Sequence, residues 1–222
     1  MLSKNDKNYK AKIYIPTFGE EVGNAISHGV MSILMLLAIP FAAVYSFVQS
    51  GSALMCFGVS VFCVSLFLMF LISTLYHSML HDTRHKEIFH ILDHIFIYVA
   101  IAGSYTPVAL SVIGGWQGWL IFILQWVMVI FGIFYKSLSR RSIPAVSLTI
   151  YLVMGWTVVF FFPLFVRHAS WQFISLIALG GVFYTVGAIF YAKKAFKHHN
   201  LVWHLLINLA AASHFVAIVF YI

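Results

Sequence analysis

The stretch LMCFGVSVFCVSLFLMFLISTLYH, residues 54–77, contains no Asp, Glu, Lys or Arg. A helix needs about 20 predominantly apolar residues to cross the hydrocarbon core of a bilayer, so this run predicts a transmembrane helix. Outward from it, the same length criterion finds six more runs, at 22–48, 88–112, 117–136, 143–166, 171–192 and 200–221. The breaks between them are short and polar or glycine-bearing, such as Gln49-Ser50-Gly51-Ser52 and Gly114-Gly115-Trp116. The whole chain of 222 residues is 62% hydrophobic and 9% charged, with a mean hydropathy of +0.96. Soluble domains carry roughly 25% charged residues, so the solvent for most of this surface is lipid. The predicted fold is an all-α integral membrane protein of seven helices, a single domain over 1–222 with a basic tail at 1–16.

Lysine and arginine set the expected orientation. With the N-terminus inside, Lys4, Lys7, Lys10, Lys12, Arg84, Lys86, Lys136, Arg140, Arg141, Lys193, Lys194 and Lys197 all fall on the inner face, and only Arg167 of the thirteen basic residues falls outside. The positive-inside rule then predicts a cytoplasmic N-terminus and an outer C-terminus. It also accounts for the net charge of +7 as a rim facing anionic headgroups, and nucleic acid is not an expected partner. The basic N-terminus is not read as a cleavable signal, because no short apolar stretch with a small-residue cleavage site follows it. Cys56 and Cys63 lie within one apolar run and are expected to be packing residues. Pro40, Pro107 and Pro163 lie inside spans and are expected to kink them.

Polar residues inside the spans carry the functional signal, since ionisable groups within a membrane are costly and usually have partners. Ser73 and His77 close the second span, Asp93 and His94 open the third, and Asn200 and His204 open the seventh. Parity puts all of them near the cytoplasmic side. Ser73 and His77 share a helical face, as do Asn200, His204 and Asn208. Glu21, Asn24 and His28 recur at +3 and +7 and make one polar stripe on the first span.

Histidines beside a carboxylate and a hydroxyl suit zinc, which takes imidazole nitrogen and carboxylate oxygen and keeps one position for water in catalytic sites. His77 and His204 are the expected ligands. Asp93 would bind the metal or hold its water, and Ser73 would hydrogen-bond that water or a substrate carbonyl. Zinc brings the pKa of a bound water to about 7, which suits attack on an amide or ester carbonyl.

Simpler roles stand beside these. Thr17-Phe18-Gly19-Glu20 fits a capping box, so Glu20 and Glu21 would serve the start of the first helix. His81, His85, His90, His168 and His198 are expected to be solvated at span ends. His214 is expected to pack against a neighbouring carbonyl. Trp116, Trp119 and Trp171 read as interface residues.

Several motifs in order resemble a known family. They are Glu20-Glu21-Val22-Gly23-Asn24-Ala25-Ile26-Ser27-His28-Gly29, Ser73-Thr74-Leu75-Tyr76-His77, Leu92-Asp93-His94, Gly103-Ser104-Tyr105-Thr106-Pro107, Met154-Gly155-Trp156 and Trp203-His204. Together they resemble the bacterial hemolysin III proteins, within the progestin and adipoQ receptor group of seven-helix proteins. That group is similar to the alkaline ceramidases in a Ser, His, Asp and paired-His pattern that binds zinc. The resemblance implies Ser73, His77, Asp93 and His204 as the matching positions, a multi-pass protein of the plasma (inner) membrane, and hydrolysis of a lipid-like amide. A pore-forming hemolysin and a non-catalytic sensor of membrane state are the alternatives. A self-contained pore would need a polar lining through the outer half, where only Ser, Tyr and His214 are available; a pore formed by several copies stays open as a reading.

The chain departs from the pattern in one place. The family has Asn-His-x-x-Trp-His at the last span, with two histidines four apart, whereas this chain reads His199-Asn200-Leu201-Val202-Trp203-His204. His199 then lies about 140° from His204 on an ideal helix. Either His199 reaches the metal from a non-helical turn, or His90 or His94 supplies the third imidazole. Asn200 is a poor zinc ligand.

Overall fold

The computed structural model describes residues 16–138, 144–194 and 196–222. Lys4, Lys7, Lys10 and Lys12 of the basic tail, and Arg140 and Arg141, lie outside the described residues. All regular structure among the described residues is helical. The order is α1 (Phe18–Ser50), α2 (Ala53–Ser78), α3 (Arg84–Pro107) running on into a π-helical turn (Val108–Ile113), α4 (Gly115–Leu138), α5 (Pro144–Gly155), a 3₁₀ segment (Thr157–Phe161), α6 (Phe162–His168), α7 (Trp171–Lys193) and α8 (His199–Phe220). Seven spans are long and apolar enough to cross a membrane, the fifth running Val146–His168 through α5, the 3₁₀ segment and α6. Each agrees with its sequence-predicted run to within a few residues at either end.

The starts and stops have local causes. Thr17 caps α1 by accepting from the Glu20 backbone N–H at 3.3 Å, which is the serine/threonine half of a capping box. Gly51, at φ 63°, closes α1 in the left-handed conformation that glycine takes without steric cost. Ser52 then caps α2 through the Met55 N–H.

The three interior prolines behave differently. Pro40 is carried inside the unbroken α1. Pro107 ends the α-helical part of α3, where the ladder widens into the π turn. Pro163 sits in the first turn of α6 after the helix has already broken at Gly155, where its missing N–H leaves no bond unmade.

Helix α2 runs through the interior, packed against α1 and α3 and touching α8, while α1 also packs on α8 and α8 on α7. Met35 and Ala42 of α1, Phe62, Leu66 and Phe70 of α2, and Ile207 and Ala211 of α8 form the central apolar core. Cys63 is fully buried within it and both cysteines are free thiols. Trp116, Trp119 and Trp171 are exposed at the first turns of α4 and α7, as expected of interface residues.

Close helix approach rests on glycine. A Cβ on Gly58 of α2 would lie 2.8 Å from the Pro107 backbone Cα of α3, and backbone cannot rotate out of the way. Gly58→Ala is therefore expected to lower stability by about 1–3 kcal/mol, the range for overpacking a close contact. Gly155→Ala, which meets nothing within 4 Å, is the near-neutral control. Unfolding midpoints of the two variants in detergent micelles test the pair, and equal midpoints would overturn the packing argument.

Candidate functional site

The face of α1 turned into the bundle is polar over its first half. Glu20, Glu21, Asn24, His28 and Ser32 are all buried, while Ile26, Val30, Ile33 and Leu37 on the other side are more than half exposed. In water this pattern would be inside out. In lipid it is the stable arrangement, because the apolar face has solvent and the polar face needs partners.

Glu21 supplies the first set of contacts. Its Oε2 accepts from the Nδ1–H of His77. Its Oε1 accepts from Lys86 Nζ at 2.8 Å and lies 3.3 Å from His81 Nε2. The turn between α2 and α3 brings Lys86 there. Met79 is extended, Asp82 adopts φ 60°, and Thr83 caps α3 through the Lys86 backbone N–H at 3.2 Å, so Lys86 falls in the first turn of α3 beside Glu21. Its ammonium also donates to the Met79 carbonyl at 3.1 Å and lies 5.0 Å from the centre of the Tyr76 ring.

One expectation needs correction here. Glu21 is a buried partner of three basic groups and not simply a helix-start charge. His81 is exposed, as expected, while lying close to Glu21.

His204 is fixed from the other side. Its Nδ1–H donates to the Asn200 backbone carbonyl one turn back, at 2.7 Å. A carbonyl and a carboxylate can only accept, so in the neutral ring both His77 and His204 carry their proton on Nδ1 and present Nε2 as a lone pair. The His77 and His204 ring centres are 4.7 Å apart. Hydrogen bonding that fixes the tautomer from behind is the outer-shell arrangement typical of metal-binding histidines.

His28 completes the cluster. It is 2% exposed, its ring centre lies 4.4 Å from that of His204, and its ring meets Phe70 edge-on at 5.0 Å. Neither ring nitrogen has a hydrogen-bond partner, and the same is true of both polar side-chain atoms of buried Asn24, one turn earlier on α1.

The remaining expected residues divide. Ser73 is buried one turn before His77, and its hydroxyl interacts with the half-buried Asp93 carboxylate, which lies within electrostatic reach of His77. His94 has Nδ1 on the His90 carbonyl at 2.8 Å, and its ring lies 4.5 Å from that of His90. His90 is exposed, as expected, and one side of its ring packs on Tyr76. His199 is the buried first residue of α8, with Nδ1 on the Phe196 carbonyl at 3.1 Å. It is part of the helix and not in a non-helical turn, so it keeps the angular offset from His204 that the sequence implies. His214 donates from its Nε2–H to the Ile177 carbonyl at 3.2 Å, the kind of partner expected for it.

Beside the cluster runs an apolar cavity of about 220 Å³, lined by Met69, Tyr105, Trp156, Tyr184, Trp203 and Ile207 among others. Met69 is one turn before Ser73, and Trp203 precedes His204, so the cavity reaches the residues that flank the polar cluster. The break of the fifth span after Gly155 contributes Trp156 and Val158 to its wall.

The donors can be tested against zinc. The described residues contain no group of three His, Cys, Asp or Glu side chains already converged on a metal-sized centre. The donor chemistry fits: three imidazoles lie in sequence at 4.4 and 4.7 Å between ring centres, and one of them has no protein partner on either nitrogen. A buried polar group left in that state usually marks a missing water or ion.

Seven apolar spans closing around a polar cluster at one end define a multi-pass membrane protein with a buried polar site. The Haemolysin-III related family model matches residues 17–215, and the chain belongs to that family. It is 36% identical to the Hemolysin-3 homolog of Bacillus subtilis over 92% of this chain and 95% of the relative. It is 34% identical to Hemolysin-3 of Bacillus cereus over 91% and 92%. A human protein, the Monocyte to macrophage differentiation factor, is 29% identical over 68% of this chain and 64% of its own length.

His28 and Lys86 are the site residues whose roles the sequence reading left unassigned. His28 was legible as the third member of the Glu21–Asn24–His28 stripe. Lys86 carried no signal beyond its place on the basic rim.

Proposed function

We propose that this chain is a zinc-dependent hydrolase of lipid-like amides, with its reacting centre where α1, α2, α3 and α8 meet. The observation that carries the reading is the pair of histidines, His77 and His204, both tethered through Nδ1, with the neighbouring Trp203 and Ile207 lining an apolar cavity. Zinc bound there would supply Lewis acidity and a water with a pKa near about 7. His77 and His204 would hold it, with Glu21 orienting His77. Ser73 would donate its hydroxyl to the substrate carbonyl oxygen. Asp93 would take a proton from the attacking water and deliver it to the amine nitrogen as the C–N bond breaks, so that amide and water give a carboxylic acid and an amine. The cavity would take an acyl chain entering from the bilayer. The polar end is read as the cytoplasmic one, because Lys86, Lys136, Lys193 and Lys194 gather there, and the membrane as the plasma membrane.

Two relatives bear the name hemolysin. A pore through a single copy is the weaker reading for this chain, because the bundle interior beyond the polar cluster is largely filled by Met35, Ala42, Phe62 and Ile218, and the buried Ser46 hydroxyl is bonded back to its own helix.

Metal analysis of protein purified without chelator is expected to find about one zinc per chain, as for one three-ligand site. Incubation with a panel of ceramides and other acyl amides is expected to release fatty acid, and chelation to stop it. Zinc without hydrolysis would leave a sensor or structural role, and metal-free protein would overturn the zinc reading altogether.

A further inference from the structure

Resting on that zinc reading, we propose that His28 of α1 is the third imidazole of the metal site in this chain, in place of a histidine one turn before His204. Asn200 occupies that place. Its backbone carbonyl is engaged by His204 Nδ1, and an amide side chain is not among the usual zinc donors. His199 lies one residue further back, inside the helix, about 140° around from His204, with its Nδ1 on the Phe196 carbonyl. His90 and His94 make their ring contact with each other on α3. His28 is the imidazole that remains, and it lies beside His204, as His77 does.

Three observations point the same way. First, the separations suit a shared ion. Imidazoles around a tetrahedral zinc at about 2.0–2.1 Å place their ring centres about 5 Å apart, against 4.4 Å for His28 to His204 and 4.7 Å for His77 to His204. Second, the unmet polar capacity is concentrated at this spot. Both nitrogens of His28, both polar side-chain atoms of Asn24 and Oδ1 of Asn208 are buried without a hydrogen-bond partner. Third, the rings do not yet converge, and His28 is the ring least held by hydrogen bonds. Neither of its nitrogens makes a hydrogen bond of normal geometry, so turning one toward the lone pairs of His77 and His204 gives up no more than a weak interaction with the His204 backbone. Asn24, one turn away on the same face, would then have a ring nitrogen to bond, the second-shell support that metal-bound histidines usually have.

The test is zinc affinity by chelator competition, with cobalt(II) absorption as a reading of coordination, on full-length protein in detergent. The variants are His28→Ala, His28→Phe, His199→Ala, and His28→Ala combined with Asn200→His. His28→Phe removes the donor while filling its space beside Phe70, so it separates loss of metal from loss of fold. Both His28 variants are expected to weaken zinc binding by more than about 100-fold, beyond the 10–100-fold typical of outer-shell partners, and to abolish the tetrahedral cobalt spectrum. His199→Ala is expected to bind like wild type. Adding Asn200→His to His28→Ala is expected to restore binding. If wild type binds zinc and folded His28→Phe binds it equally well, the assignment of His28 is wrong while the zinc reading stands. If wild type binds neither metal, the zinc reading itself fails and this inference with it.

Discussion

Replacing Glu21 by Ala is expected to destabilise the folded protein by about 3–5 kcal/mol, the cost of removing one partner from a buried ion pair. The Glu21 and Lys86 side chains are 7% and 9% exposed and sit 2.8 Å apart. Without the carboxylate, the Lys86 ammonium keeps only the Met79 carbonyl at 3.1 Å and the face of Tyr76. His77 loses the acceptor that sets its tautomer, so the same substitution is expected to impair any chemistry at the site. Combining Glu21→Gln with Lys86→Met removes both charges and keeps the volumes, and is expected to recover most of the stability, since well-packed neutral replacements of buried pairs are often tolerated. Equilibrium unfolding in mixed micelles, run as a double-mutant cycle, measures the coupling. Additive single-site losses would show that Glu21 and Lys86 do not support one another.

His77→Ala and His204→Ala carry the second large effect. Structural zinc sites contribute roughly 10–16 kcal/mol over four ligands, so losing one ligand costs roughly 3 kcal/mol, or about 100-fold in affinity. Both variants are expected to lose zinc, and with it hydrolysis. They are expected to differ in stability. His77→Ala also strips a partner from Glu21, whereas His204 Nδ1 bonds only within its own helix. The unfolding midpoint of metal-free His77→Ala should therefore fall below that of metal-free His204→Ala. Zinc occupancy by elemental analysis and midpoints in chelator check the two halves separately. Full occupancy in both variants would remove these histidines from any metal site.

The spans were legible because length and hydropathy are local properties. Residues 54–77 read as a helix from composition alone, and α2 runs Ala53–Ser78. The fifth span was legible as a crossing but not as a broken one. Pro163 marked a disturbance, yet the helix gives way earlier, at Gly155, where Tyr105 Oη of α3 donates to the Gly155 carbonyl at 2.6 Å and accepts from the Val158 N–H at 2.9 Å. Those are contacts from another helix, invisible to a local reading. The capping signal at Thr17 was correct, but it concealed Glu21, which serves α2 and α3.

Hydropathy and spacing alone account for the seven helices and the polar stripe on α1, because periods of three and four residues put Glu21, Asn24 and His28 on one face whatever surrounds them. It also separated His199 from His204, since an offset of five residues is a property of the helix. The choice of partners came from helix packing: Glu21 meets both His77 and Lys86, and His28 lies against His204 across more than 170 positions of chain. The physical reason is the solvent. Lipid leaves each buried polar group to find its partner inside the protein, and which partner it finds depends on how α1, α2, α3 and α8 pack.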